Sequence, residues 1–152
     1  MRSLGKVTHL AAGAVGPPGQ RTFYLEVDGP DGREWYQLEK EQVAALAAHG
    51  LDLVGAKPSG EPGPPLSPPG EPVFRVAEIG LGTDADGVLV LLSPAREGEP
   101  VAFSTPAETF AAMARRALEV VAAGRPRCRL CGLPMDPEGH ACPGGNGDLR
   151  SR

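Results

Sequence analysis

The chain has 152 residues, 41% of them hydrophobic and 22% charged, which excludes wholesale disorder and allows one domain, or one domain with a small appendage. Its net charge of −4 is unevenly spread: residues 1–112 carry 15 acids against 8 bases, and residues 113–152 carry 7 bases against 4 acids. An acidic body argues against broad electrostatic binding to nucleic acid and leaves only the tail as a local basic patch. No apolar run approaches the ~20 residues of a membrane-spanning helix, so no membrane partner is expected.

The first fifteen residues hold two early bases and a short apolar stretch, the outline of a signal peptide. His9 and two glycines interrupt that stretch, which runs into the turn Gly16-Pro17-Pro18-Gly19. It reads as a strand over 7–15, and a cytoplasmic protein is expected. Residues 21–27 alternate, with Phe23, Leu25 and Val27 on one face and Thr22, Tyr24 and Glu26 on the other. Gly29-Pro30-Asp31-Gly32 is a turn signal, and 34–38 returns as a third strand. A helix follows over 40–49, with Val43, Ala44, Leu46 and Ala47 on one stripe and Gly50 as its stop.

Residues 55–72 hold seven prolines and four glycines, a composition that builds no core element and reads as a linker or long solvated loop. Strands are expected again over 73–81, 88–92 and 100–104, the first two joined by Asp84-Ala85-Asp86-Gly87. Thr105 and Glu108 have the spacing of a capping box, with Pro106 at the first helical position. Phe110, Met113, Ala114, Ala117, Leu118 and Val121 then form a helical stripe up to Gly124.

The chain thus reads as an α+β protein: antiparallel sheet or sheets with two covering helices, in the order βββα-linker-βββα. Its parts are 1–54, the linker 55–72, 73–124 and a tail over 125–152, with 1–124 as one compact domain. Trp35-Tyr36 and Phe23-Tyr24 read as cross-strand core packing.

Every cysteine lies in the tail, as Cys128, Cys131 and Cys142, with His140 between the last two. Three thiols and one imidazole form the donor set of a tetrahedral zinc site, with ligands at about 2.0–2.3 Å, and Gly132 suits the turn after the second thiol. A redox pair is disfavoured because the C-x-x-C follows a helix end, and the spacing matches no common iron–sulfur pattern. Four protein ligands leave no open position, so the zinc would be structural, a knuckle closing the tail. Were only three to bind, Glu138 would be the nearby carboxylate to consider as a base.

Arg125, Arg127 and Arg129 surround this segment, and Arg115 and Arg116 precede it on the helix. They are candidate contacts to RNA or DNA phosphates, but no aromatic residue interleaves them, which favours an ordinary solvated helix end. His9 and His49 each stand alone and read as strand-surface and helix-end residues. No nucleophile elbow, Walker loop or dinucleotide fingerprint occurs; Gly80-Leu81-Gly82 lacks the third glycine.

Four stretches together carry a family likeness: 15–23, Leu38-Glu39-Lys40-Glu41-Gln42-Val43, 117–126, and the tail from Cys128 to Asn146-Gly147. They resemble an uncharacterised, chiefly actinobacterial family, domain of unknown function 3090. Arg129, Gly144 and Asp148 stand where tails of that family tend to carry Pro, Arg and an aromatic. The resemblance implies a bacterial cytosolic protein and no assigned activity.

The leading expectation is a non-catalytic binding or scaffold domain with a structural zinc site and an unidentified protein or small-molecule partner. The alternatives are an enzyme with a pocket between the two halves, for which no catalytic residue can be named, and a nucleic-acid contact through the arginine-flanked tail.

Overall fold

The computed structural model describes residues 1–123. Met1–Val121 forms one compact unit, which the account below concerns. Seven strands and two helices occur in the order β1 (Arg2–Lys6), β2 (Leu10–Val15), β3 (Thr22–Gly29), β4 (Gly32–Leu38), α1 (Lys40–Val54), β5 (Val76–Asp84), β6 (Gly87–Pro94), β7 (Val101–Thr105) and α2 (Ala107–Ala123). β2-β3-β4 is one antiparallel sheet, and β5-β6-β7 is a second meander whose β7 edge is extended by β1. The expected βββα order therefore recurs as β2β3β4α1 and β5β6β7α2, within an α+β architecture.

β1 is the departure. The strand expected over 7–15 is β2, beginning at Leu10, and an unforeseen strand precedes it: β1 lies parallel to β7, with Arg2 opposite Val101 and Ser3 opposite Ala102. Arg-Ser-Leu-Gly-Lys shows no alternation because only Leu4 is directed into the core. Its strand character comes from a tertiary partner about a hundred residues away. The sheet is thus mixed rather than wholly antiparallel.

One apolar core unites both sheets and both helices. Leu10, Ala12, Phe23, Leu25, Val27, Tyr36 and Leu38 come from the inner face of the first sheet, and Val88, Val90, Leu92, Val101 and Phe103 from that of the second. α1 contributes Val43, Leu46, Ala47 and Leu51, and α2 contributes Phe110, Met113, Ala114 and Ala117. Arg2 of β1 ties the two sheets at the edge of this core, with Nη1 2.9 Å and Nη2 3.0 Å from the two oxygens of Glu34 on β4. The buried Tyr36 hydroxyl donates to the same carboxylate at 2.7 Å. Burial, reinforced by that carboxylate, raises the Tyr36 pKa above its ordinary value.

Two helix-end expectations are corrected. α1 does not stop at Gly50 but continues to Val54 and ends on Gly55, whose φ of 66° is the left-handed cap. Gly50 lies inside the helix and is buried because α2 leaves no room for a side chain there. At α2 the capping box does not form. Thr105 is the last residue of β7, opposite Val88 on the inner face, and its buried Oγ1 has no hydrogen-bond partner. The first turn instead closes on the Pro106 carbonyl, which accepts from Phe110 N–H at 3.0 Å.

Residues 55–72 contain no helix or strand, as their composition requires, and most are exposed, but several are held against the folded body. They form a strap across the outer face of the first sheet and onto α2. Leu66 lies on Gly13, where an added Cβ would stand 2.5 Å from the leucine Cβ. Gly70 lies on the Trp35 ring, and Gly63 donates to the Ala112 carbonyl of α2 at 2.7 Å. After the strap, 73–75 runs beside β4 and not within the next strand: Val73 N–H donates to Trp35 O at 2.8 Å, and Gln37 N–H to Phe74 O at 3.1 Å. Among the described residues, no helix is long and apolar enough to cross a membrane.

Candidate functional site

β5 ends the order β1-β7-β6-β5, so among the described residues one of its two edges has no strand beside it. An edge strand presents alternate N–H and C=O groups outward. Gln42, in the first turn of α1, closes the start of this edge: its Nε2 donates to the carbonyls of Val76 at 3.0 Å and Ala77 at 3.2 Å. Its Oε1 meanwhile accepts from the Glu39 backbone N–H at 2.8 Å, which fixes the amide's orientation. Beyond Ala77, residues 78–83 have backbone partners only on β6 among the described residues.

Between this edge and α1 lies a groove of about 510 Å³, lined by Gln42, Ala45, Leu46, His49, Leu53, Ala77, Ile79 and Leu81. The strand side follows from two-residue periodicity, which puts Ala77, Ile79 and Leu81 on one face. The helix side follows from the i, i+3, i+4, i+7 spacing of 42, 45, 46, 49 and 53. Leu53 is 43% exposed here, a large apolar side chain that folding leaves uncovered. His49 therefore lies inside α1 and lines a groove, where the sequence had suggested a helix end.

A second cluster surrounds Glu26, which is 0% exposed although it lies on the outer face of its strand. The strap covers it. Ser67 donates to Glu26 Oε1 through its backbone N–H at 3.0 Å and also through its hydroxyl. Trp35 Nε1 donates to the same oxygen at 3.0 Å, His9 Nε2 lies 2.6 Å from Oε2, and Arg33 is 3.6 Å away. Burial alone would raise the Glu26 pKa, but the bonds from Ser67, His9 and Trp35 outweigh it and hold the group below its ordinary value of 4.5. A carboxylate so placed only accepts, so His9 Nε2 carries a hydrogen. The arrangement latches the strap to the sheet. It also shows that Trp35 faces the strap, opposite Glu26, and not the core, where Tyr36 packs edge-on to Phe74.

His9 also lines a smaller cavity of about 290 Å³ with Thr8, Leu10, Pro64, Glu108, Thr109 and Ala112. This is a space shared by β2, the strap and α2, the region between the two halves. Its polar side chains lie on two segments about a hundred residues apart, which explains why no local motif announced it.

Cys128, Cys131, His140 and Cys142 lie outside the described residues, as do Arg125, Arg127 and Arg129. Among the described residues, no group of three or more His, Cys, Asp or Glu side chains is placed to hold a metal. Arg115 and Arg116 are described, and both are engaged with the strap: Arg115 Nε donates to Lys57 O at 3.1 Å, and Arg116 Nε to Gly63 O at 2.9 Å. Their signal in the sequence was charge, but their task is to satisfy carbonyls in a segment without secondary structure.

Fold and site define a small α+β domain of two three-stranded meanders, one carrying an open edge beside an apolar groove. The chain belongs to the family described as protein of unknown function (DUF3090), whose model matches residues 3–142. No curated protein and no solved structure matches it.

Proposed function

We propose that this chain is a non-catalytic binding module that takes an extended segment of a partner polypeptide as an added strand on β5. The observation that carries this reading is the edge over 78–83, without an outer partner among the described residues and flanked by the groove of α1. Strand addition uses main-chain bonds for affinity and side-chain pockets for selectivity, and both elements are present together. Edges that must stay unpaired carry lysine, proline or a bulge, yet Glu78-Ile79-Gly80-Leu81-Gly82-Thr83 has no lysine or proline. The bulge of β5 falls before this stretch, between Val76 and Glu78.

The zinc site belongs to this reading as a staple for the tail. Cys128, Cys131, His140 and Cys142 would fill a tetrahedral metal and leave no place for substrate, which suits a structural ion. Arg125, Arg127 and Arg129 flank it as the secondary, nucleic-acid alternative.

The test is selection of peptides from a random displayed library against the full chain. Selected peptides should perturb the amide resonances of 78–83 and of α1. They should lose about tenfold in affinity to Ala45→Gln, which extends a side chain over the groove from an exposed helical position. Peptides that bind the variant equally well, or that perturb a different face, would remove the proposal.

A further inference from the structure

The chemistry of the groove's rim narrows the partner, granted the strand-addition reading. A strand paired with β5 directs every second side chain toward α1, over Leu46, Leu53, Ile79 and Leu81, and those positions call for apolar residues. The intervening side chains emerge on the opposite face of the sheet, the face of Glu78. Along α1, Glu41 and Asp52 are exposed on the flank of the helix that rims the groove on its solvent side. The one lysine of the two elements, Lys40, falls on the opposite flank of the helix, and Arg75 before β5 is paired with Glu39. Asp84 at the far end of the strand accepts from the Ser104 hydroxyl. Among the described residues the rim is thus acidic on both sides, with the imidazole of His49 as the basic group of its lining.

We infer that the segment received by β5 is cationic, alternating apolar residues over the groove with lysine or arginine on the face of Glu78. Self-pairing of β5 with a second copy is opposed by the same charges, because each strand brings its own Glu78 and Asp84. Two glycines, Gly80 and Gly82, add an open approach along the edge: a Cβ at Gly82 would meet no atom within 4 Å, and one at Gly80 would touch only Leu91.

Three synthetic decapeptides test this, alternating valine with lysine, with serine or with glutamate, each titrated into the full chain. At low ionic strength the lysine peptide should bind most tightly and the glutamate peptide least, with about a tenfold span that narrows in high salt. Glu78→Lys should reverse the order. Equal binding of lysine and serine peptides, both weakened by Ala45→Gln, would overturn the charge inference and leave strand addition standing. Lysine-peptide binding undiminished by Ala45→Gln would reveal general attraction to an acidic surface and overturn it too. No binding by any of the three at millimolar concentration would remove both readings. A dimer in sedimentation that Ala45→Gln disperses would assign the edge to a second copy.

Discussion

Gly50 of α1 and the ring of Phe110 of α2 compete for one place: a Cβ on Gly50 would stand 1.9 Å from Cε1 and 2.3 Å from Cζ. The two helices can approach this closely only because position 50 carries no side chain. Alanine there would add about 1 kcal/mol of helix propensity. Forcing a methyl into a fully buried ring costs more, about 1–3 kcal/mol or above. Gly50→Ala should therefore lower stability by about 2 kcal/mol in denaturant titration. Phe110→Leu should cost less in the alanine background than in the native chain, since both changes act on one contact. Additive losses would contradict the packing described.

Glu26 links stability to pH. Its folded pKa lies below the ordinary 4.5, because burial, which raises it, is outweighed by bonds from Ser67, His9 and Trp35. A carboxylate shifted down stabilises the fold fully above its unfolded pKa, and that contribution is lost as pH falls through the lower folded value. Glu26→Gln should destabilise the chain by about 2–4 kcal/mol at neutral pH, because the imidazole and the other donors lose a charged acceptor. The variant should also show a smaller loss of stability than the native chain between neutral pH and pH 3. Parallel losses would contradict the latch.

The strap gives a separate prediction. Gly13→Val suits a strand by propensity, yet its Cβ would fall 2.5 Å from that of Leu66, so the strap must lift. Cleavage at Glu61 and Glu71 by a glutamate-specific protease should quicken, while the near-ultraviolet signal of Tyr36 in the core is retained. Unchanged cleavage would mean that Leu66 is not held at Gly13.

For the tail, purified full-length protein expressed with ample zinc should contain about one zinc per chain, and Cys131→Ser should carry far less. Less than half an equivalent in the native chain would sink the zinc reading. A nucleic-acid role for Arg125, Arg127 and Arg129 predicts binding that weakens steeply with salt, and none is expected under the leading proposal.

Legibility in the sequence followed the range of the interactions involved. Phe23, Leu25 and Val27 announced β3 because their neighbours alternate in and out with a period of two. Glu26 belonged to the outward set, and nothing local revealed that a proline-rich strap would bury it. Thr105 and Glu108 had capping-box spacing, but pairing of Thr105 with Val88 kept that residue in the sheet. Gly50 looked like a stop because its real constraint, Phe110, is 60 positions away. The groove could not be read at all, since Leu46 and Leu81 become neighbours only when α1 is laid beside β5. The cysteine–histidine set was plain from spacing, and it lies outside the described residues.

β1 carries a consequence for how the chain reaches its fold. Arg2 opposite Val101 closes a loop of nearly the whole described chain, and Val7 N–H donates to Ser104 O at 2.7 Å beside it. During synthesis the first strand must wait, unpaired, until β7 has emerged. The β2-β3-β4 meander can form early, because its contacts are local. Completion of the second sheet is deferred to the end, when the earliest residues made meet some of the latest. Swapping the order of the halves by circular permutation, with β1 kept beside β7, should therefore accelerate folding while preserving the same native contacts.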